Sequence, residues 1–199
     1  MSKLLLMPRN RRGRLYERTG LRIRGFAGVA LNEALDPFSL ADYAKLTVVR
    51  PADLEGLPND VHQRLVGRCS SNWSAVTFGL PDGNQICIVN PTHSLERTRA
   101  TLMEEIAHVV LGHEPTRIHT GAGGLPCREY NAANEQAAYG VGAAALVPYT
   151  ALFVGLMDGE TPESIALRYG VTRELVGYRI KITMLWPLYK SKAAASGSA

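Results

Sequence analysis

The chain has 199 residues, of which 46% are apolar and 20% are charged, and its net charge at neutral pH is +4. It is long enough to bury a core as one domain, with or without an appendage. No apolar run approaches the length of a membrane span, and the opening MSKLLLMP is too short in apolar residues for a secretory signal. Its three cysteines are widely spaced, which argues against a disulfide scaffold or a cysteine zinc site. We therefore expect a cytoplasmic protein.

Positive charge is concentrated at the start of the chain. The first 24 residues contain eight basic residues and one acid, Glu17. Such a segment is usually a solvated, frayed terminus, although it could also contact nucleic acid or an acidic partner. We expect residues 1–24 to form a basic N-terminal arm.

A small sheet is predicted ahead of residue 92. Residues 73–79 and 85–91 alternate in polarity, and the Asp-Gly pair between them is typical of a β-hairpin. A β-branched strand is predicted at 46–50, and helical spacing is found at 21–35. These elements predict an α+β fold, mainly helical, with a small antiparallel sheet.

The stretch TLMEEIAHVVLGHEP (101–115) contains the residues suited to catalysis. Its apolar positions recur at helical spacing and predict a helix packed along one stripe: Leu102, Ile106, Val109 and Val110. Glu104 and His108 lie one turn apart on another face, with Glu105 beside them. An H-E-x-x-H helix presents two metal ligands and a general base in this way. Here the first ligand position is a glutamate.

A zinc hydrolase needs three protein ligands, an open position for water, and a carboxylate that takes the water's proton. His108 is the expected nitrogen ligand, and Glu105 is the expected base. Glu135 is the expected third ligand because it lies early on the next predicted helix, 131–146. With Glu104 the set would be Glu/His/Glu, which favours Mn²⁺ or other oxygen-preferring cations more than a His/His/Glu set does.

Two further points concern the same helix. His113 follows His108 by five residues, about 140° around a helix, so it is a poor ligand unless the helix has ended. We expect it to be a C-terminal cap or a hydrogen-bond donor behind a ligand. Alternatively the site holds no metal: paired glutamates are often a solvated face, and Glu104 could pair with Arg99 or Arg128.

Two other segments are distinct. Residues 115–129 are glycine-rich and predict a mobile loop beside the site. Residues 161–180 have helix-turn-helix spacing, with Thr161 and Thr172 as helix caps and Gly170 as the turn. If the second helix reads DNA, Arg173 and Arg179 are the expected contacts; the alternative is that both helices pack on the core.

The segments TLMEEIAHVVLGH (101–113), NEQAAYGVGAAALVP (134–148) and IVNP (88–91) resemble the ImmA/IrrE family of zinc metallopeptidases. The resemblance covers roughly residues 35–180 and implies Glu105 as the base with His108 and Glu135 as ligands. Glu104 stands where the family has its first histidine. Members of the family typically cleave a helix-turn-helix repressor and so release stress-response or mobile-element genes.

The expected organisation is a metallopeptidase-like domain at 25–158, helix-turn-helix-like helices packed on it at 159–190, and a flexible tail at 191–199. Two functions follow. The first is a Zn²⁺-type metalloendopeptidase that acts on a protein substrate, a repressor, in transcription regulation. The second is a non-catalytic regulator of the same fold that binds a protein or DNA. Neither function involves a membrane.

Overall fold

The computed structural model describes residues 5–114, 118–120, 126–128 and 131–196; the side chains of 118–120, 126–128 and 193–196 are outside this description. Helices dominate, and the strands form one three-stranded and one two-stranded sheet among the described residues, which confirms the predicted α+β class. The elements in chain order are α1 (Arg11–Phe26), α2 (Phe38–Ala41), β1 (Leu46–Val49), α3 (Asn59–Val66), β2 (Ala75–Gly79), β3 (Gln85–Val89), α4 (Leu95–Val110), β4 (Ile118–Thr120), β5 (Pro126–Arg128), α5 (Ala132–Leu146), α6 (Tyr149–Met157), α7 (Pro162–Tyr169), α8 (Arg173–Ile182) and α9 (Trp186–Ser196).

The chain divides into two compact units. The first unit comprises Met1–Asp36 with Tyr139–Ala199, and the second comprises Pro37–Ala138. Helix α5 begins in the second unit and continues in the first. The predicted boundary at 24/25 falls inside α1, and the one at 158/159 follows α6 within the first unit.

The second unit contains a three-stranded sheet in the order β1-β3-β2. Strands β2 and β3 form the predicted hairpin, with Ala75 opposite Val89 and Gly79 opposite Gln85. Strand β1 is parallel to β3, so the sheet is mixed, and the predicted antiparallel sheet corresponds to its hairpin. A parallel pair needs a crossover connection, which α3 and β2 supply here, and hairpin signals do not report such non-adjacent pairing.

Helix α4 packs beside this sheet. Its N-cap is Ser94, whose side chain accepts a hydrogen bond from the Arg97 backbone N–H. The buried stripe consists of Leu102, Met103, Ile106 and Ala107. Val110, predicted on the buried stripe, is 51% exposed because it is the last residue of the helix.

The predicted basic arm is largely a packed helix. Helix α1 buries Tyr16, Gly20 and Ile23, and a Cβ at Gly20 would collide with the backbone of Ala144 and Ala145. The prediction of a frayed terminus was wrong for these residues. Their apolar positions recur at helical spacing, but the many arginines between them favoured a solvated segment. The helix ends at Phe26, so the helical spacing at 21–35 is realised only in its first part.

Charged side chains of the first unit form a buried network. The Glu17 carboxylate is 1% exposed and binds the guanidinium of Arg179, which is 0% exposed. Glu17 also accepts a hydrogen bond from the Tyr149 N–H, and Arg179 donates to the Val147 carbonyl. Burial raises the pKa of Glu17, and the neighbouring Arg179 charge opposes that rise. Each of the two charges thus has a charged partner and a backbone partner.

Helices α7 and α8 match the predicted helix pair. The side chains of Thr161 and Thr172 cap the two helices as expected. Gly170 makes the turn in the left-handed region, at φ 60°. Helix α9 runs to Ser196, so much of the predicted tail is helical, as its alanines favour; residues 197–199 lie outside the described residues.

Within the described part of the chain, no single helix is both long and apolar enough to cross a membrane. Helices α5 and α6 reach that length and composition only as a pair, with a bend of 58° between them.

Candidate metal centre

Three side chains of the second unit converge. Glu104 and His108 lie one turn apart on α4, and Glu135 lies in the first turn of α5. Each of the three offers one metal-binding atom, and these atoms lie within 4.8 Å of one another. His108 Nε2 is 3.8 Å from Glu135 Oε2, and the two side chains are 20% and 25% exposed. The three side chains predicted as ligands therefore lie close together, and they are partly exposed to solvent.

Glu135 is positioned by the start of α5. The Asn131 side chain accepts hydrogen bonds from the backbone N–H groups of Ala133 and Asn134. This cap starts the helix so that Glu135 falls in its first turn, where the helix dipole favours a negative charge.

His113 lies against His108 because α4 has already ended. Gly112 adopts φ +69°, and the His113 N–H donates to the His108 carbonyl at 3.0 Å. With the Gly112 N–H donating to the Val109 carbonyl, this is a Schellman motif, which folds the chain back over the last helical turn. The two imidazoles meet edge to face, and their Nδ1 atoms are 3.0 Å apart.

This contact defines the tautomers that a metal would require. If His108 Nε2 binds a cation, the ring proton is on Nδ1 and is donated to His113 Nδ1. His113 is then the acceptor, whereas we predicted a donor. Burial lowers the pKa of His113, His108 lowers it further and Glu135 opposes this. A neutral imidazole, which can accept this hydrogen bond, is therefore favoured.

Glu105 is held by the sheet. Thr77 Oγ1, on β2, donates a hydrogen bond of 2.8 Å to Glu105 Oε2. Thr77 pairs with the fully buried Cys87 on β3, and their side chains are hydrogen-bonded. Burial raises the pKa of the Cys87 thiol to about 12, and the Glu105 charge adds to that rise. The thiol therefore stays protonated.

Thr77 was missed by the sequence reasoning. The available signal was the alternation of β2, in which Ala75 and Thr77 share the less exposed face. A polar residue on that face of a strand just before the helix that carries Glu105 is a reason to look for a partner on that helix.

The donor set fits a divalent cation. Bonds of about 2.0–2.2 Å allow donor atoms on one ion to lie up to about 4 Å apart. Separations of up to 4.8 Å thus close with small side-chain rotations. One imidazole and two carboxylates suit zinc, and the two oxygen donors also suit manganese.

The remaining predicted residues lie elsewhere. Arg173 is exposed and pairs with Glu163. Arg179 is completely buried, so its predicted role in contacting nucleic acid was wrong. Its side chain can lie in the core because the carboxylate of Glu17 neutralises its charge there. Strands β4 and β5 pair with one another within the predicted glycine-rich loop. The other residues from 115 to 129 lie outside the described part of the chain, as does the side chain of Arg128.

The comparisons with known proteins agree with this geometry. Residues 65–181 match the Peptidase M78 family, described as the IrrE N-terminal-like domain. No curated protein and no solved structure matches the chain. The matched span covers more than half of the sequence and contains all three converging residues together with Glu105. The chain therefore belongs to the Peptidase M78 family of metallopeptidases, the family of IrrE N-terminal-like domains.

Proposed function

We propose that this protein is a metal-dependent endopeptidase that cleaves a transcriptional repressor in a stress or mobile-element response. The observation that carries the proposal is the convergence of Glu104, His108 and Glu135, next to Glu105, in a chain of a metallopeptidase family. The choice of a helix-turn-helix repressor as substrate rests on the resemblance to ImmA/IrrE proteins.

The roles of the side chains follow from their positions. Glu104, His108 and Glu135 would hold the cation, which supplies Lewis acidity toward water and the scissile carbonyl. Glu105 takes a proton from the attacking water and passes it to the leaving amine. Thr77 donates a hydrogen bond to Glu105 Oε2 and so fixes the orientation of the carboxylate that takes the proton.

Cleavage is tested by comparing the wild type with Glu105→Gln. Both proteins are expected to bind one divalent ion per chain, measured by inductively coupled plasma mass spectrometry. Only the wild type is expected to generate new peptide N-termini, measured by terminal labelling and mass spectrometry of a cell extract and of purified helix-turn-helix repressors. The variant is expected to lose at least about 10²-fold in rate. Equal cleavage by both proteins would exclude Glu105 as the base.

The preferred metal is tested at position 104. Glu104→His is expected to raise the affinity for Zn²⁺ relative to Mn²⁺, because imidazole is the softer ligand. Glu104→Gln is the matched control, since it keeps the size of the side chain and removes its charge. If the three proteins have the same Zn²⁺/Mn²⁺ preference, residue 104 is not a ligand.

The alternative is a non-catalytic regulator that retains the fold. The observation that favours it is the glutamate at position 104, where the resemblance implies a histidine ligand. This alternative requires that purified protein holds no metal after growth with added zinc or manganese and that no added ion is retained on dialysis. A stoichiometric ion with Glu105-dependent cleavage would exclude it.

A further inference from the structure

Helix α1 has two chemically different faces. One face is buried and includes Tyr16, Gly20 and Ile23. The other is exposed and carries arginines one turn apart, here called the arginine stripe: Arg11, Arg14, Arg18 and Arg22. At 1.5 Å per residue the stripe is about 16 Å long.

No acidic side chain accompanies this stripe on its own helix. The one acid of α1, Glu17, is buried and bound to Arg179. Among the residues that the structure describes, none of the four stripe arginines is within 4.0 Å of a carboxylate. Four exposed arginines elsewhere each pair with an acid: Arg50, Arg64, Arg168 and Arg173. Arg68 and Arg97 are also exposed and are in no ion pair among the described residues.

We propose that the arginine stripe binds the phosphodiester backbone of a nucleic acid without reading its sequence. A guanidinium fork binds phosphate through two parallel hydrogen bonds. A row of such groups along a helix matches a polyanion whose charges repeat along a line. The stripe is independent of the metal centre, which belongs to the other unit.

The start of α1 adjoins the end of α8, which adds a further positive charge. The Asn10 side-chain amide donates to the Ile182 carbonyl at 2.9 Å. Lys181, the neighbour of Ile182, is exposed. The segment predicted to read DNA therefore has an exposed cation, Lys181, next to the residue that contacts the start of α1, while Arg179 remains in the core.

The burial pattern favours nucleic acid over a lipid surface. A helix that lies in a membrane interface inserts its apolar face into the lipid. The apolar face of α1 is packed inside its own unit, and only Leu15 and Phe26 are exposed large apolar residues on this helix. The stripe offers charge without a continuous apolar surface.

The test measures binding of the full chain to a fluorescent 30-base-pair DNA duplex and to an RNA duplex of the same sequence across a salt series. The logarithm of the association constant is expected to fall linearly with the logarithm of salt concentration. Substitution of Arg11, Arg14, Arg18 and Arg22 by Ala is expected to reduce that slope by roughly 3 to 4, at about 0.9 per phosphate contact. Because alanine is the best helix former, α1 is expected to persist, as circular dichroism would show.

The matched control replaces Arg50, Arg64, Arg97 and Arg168 by Ala, which removes the same charge from exposed positions outside α1 and α8. It is expected to keep the wild-type slope, as is a variant with lysine at the four stripe positions. Equal losses in the stripe and control variants, or no binding by the wild type, would overturn the proposal. Equal competition by polyglutamate would also overturn it and indicate an acidic protein as the partner. The DNA and RNA arms show which nucleic acid is bound.

Discussion

Charged side chains are used in two opposite ways in the two units. In the first unit, Glu17 and Arg179 are buried and oppositely charged, and each is bound both to the other and to a backbone group. In the second unit, Glu104 and Glu135 approach a single imidazole, that of His108, at a depth that remains partly exposed. Two carboxylates near one imidazole form an acidic cluster that a cation would stabilise. The buried ion pair is suited to stabilising the fold, whereas the acidic cluster is suited to binding a cation.

The largest effect is expected where the buried pair is broken. Arg179→Met should reduce the free energy of unfolding by about 3–5 kcal/mol, because it leaves the Glu17 carboxylate buried without its charged partner. Urea denaturation measures this loss. Replacing both residues, with Glu17→Leu and Arg179→Met, should destabilise the protein less than the single change does.

The control for that measurement is the exposed pair of Arg173 and Glu163. Arg173→Met should leave the unfolding midpoint unchanged within error, since exposed ion pairs contribute little. If Arg179→Met and Arg173→Met shift the unfolding midpoint equally, the contribution of an ion pair to stability does not depend on its burial.

The same contrast explains what the sequence could predict. Helix periodicity and the one-turn spacing of Glu104 and His108 were sufficient to place both on one face of α4, and α5 was sufficient to propose Glu135. These are local signals. The burial of Glu17 and Arg179 depends on a contact between residues 162 positions apart, and no local pattern reports it. The sequence of α1 does contain an apolar period, which includes the buried Tyr16 and Ile23, but its arginines favour the interpretation as a solvated arm.

The pairing of strands within the sheet was the second feature that the sequence could not fully predict. The hairpin of β2 and β3 has a turn signal, whereas the parallel pairing of β1 with β3 has none. The hydrogen bond from Thr77 to Glu105 joins a strand to a helix 28 residues later. Only the three-dimensional arrangement shows that this strand supports the proposed base.

The second prediction concerns the imidazole behind the ligand. His113→Ala should lower the affinity for Zn²⁺ about 10–100-fold, because the His108 Nδ1–H loses its acceptor and the ring loses its orientation. Isothermal titration calorimetry measures the affinity. The matched control is His62→Ala on α3, which should leave it unchanged. If His113→Ala binds Zn²⁺ as tightly as the wild type, the contact between the two rings has no part in metal binding.

The third prediction concerns the base. Thr77→Val removes the hydroxyl that holds Glu105 and should lower kcat about tenfold, as expected for one hydrogen bond to a charged group. KM and the metal content should stay the same. Thr77→Ser keeps the hydroxyl and should restore most of kcat. A change in KM alone, or equal losses in the serine and valine variants, would show that Thr77 only packs against α4.

The smallest effect is expected at Cys87, which contacts Thr77 and acts on Glu105 only through it. Its thiol is hydrogen-bonded to Thr77, the residue that holds Glu105, and a thiol is a weak hydrogen-bonding group. Cys87→Ala should therefore change kcat by about twofold or less, well below the effect of Thr77→Val. In the folded wild type, iodoacetamide at pH 8 should modify the partly exposed Cys69 and spare Cys87, whose pKa of about 12 keeps it protonated. Peptide mass spectrometry measures both sites. A kcat loss in Cys87→Ala as large as that in Thr77→Val would mean that the thiol, and not the hydroxyl alone, holds the orientation of the base.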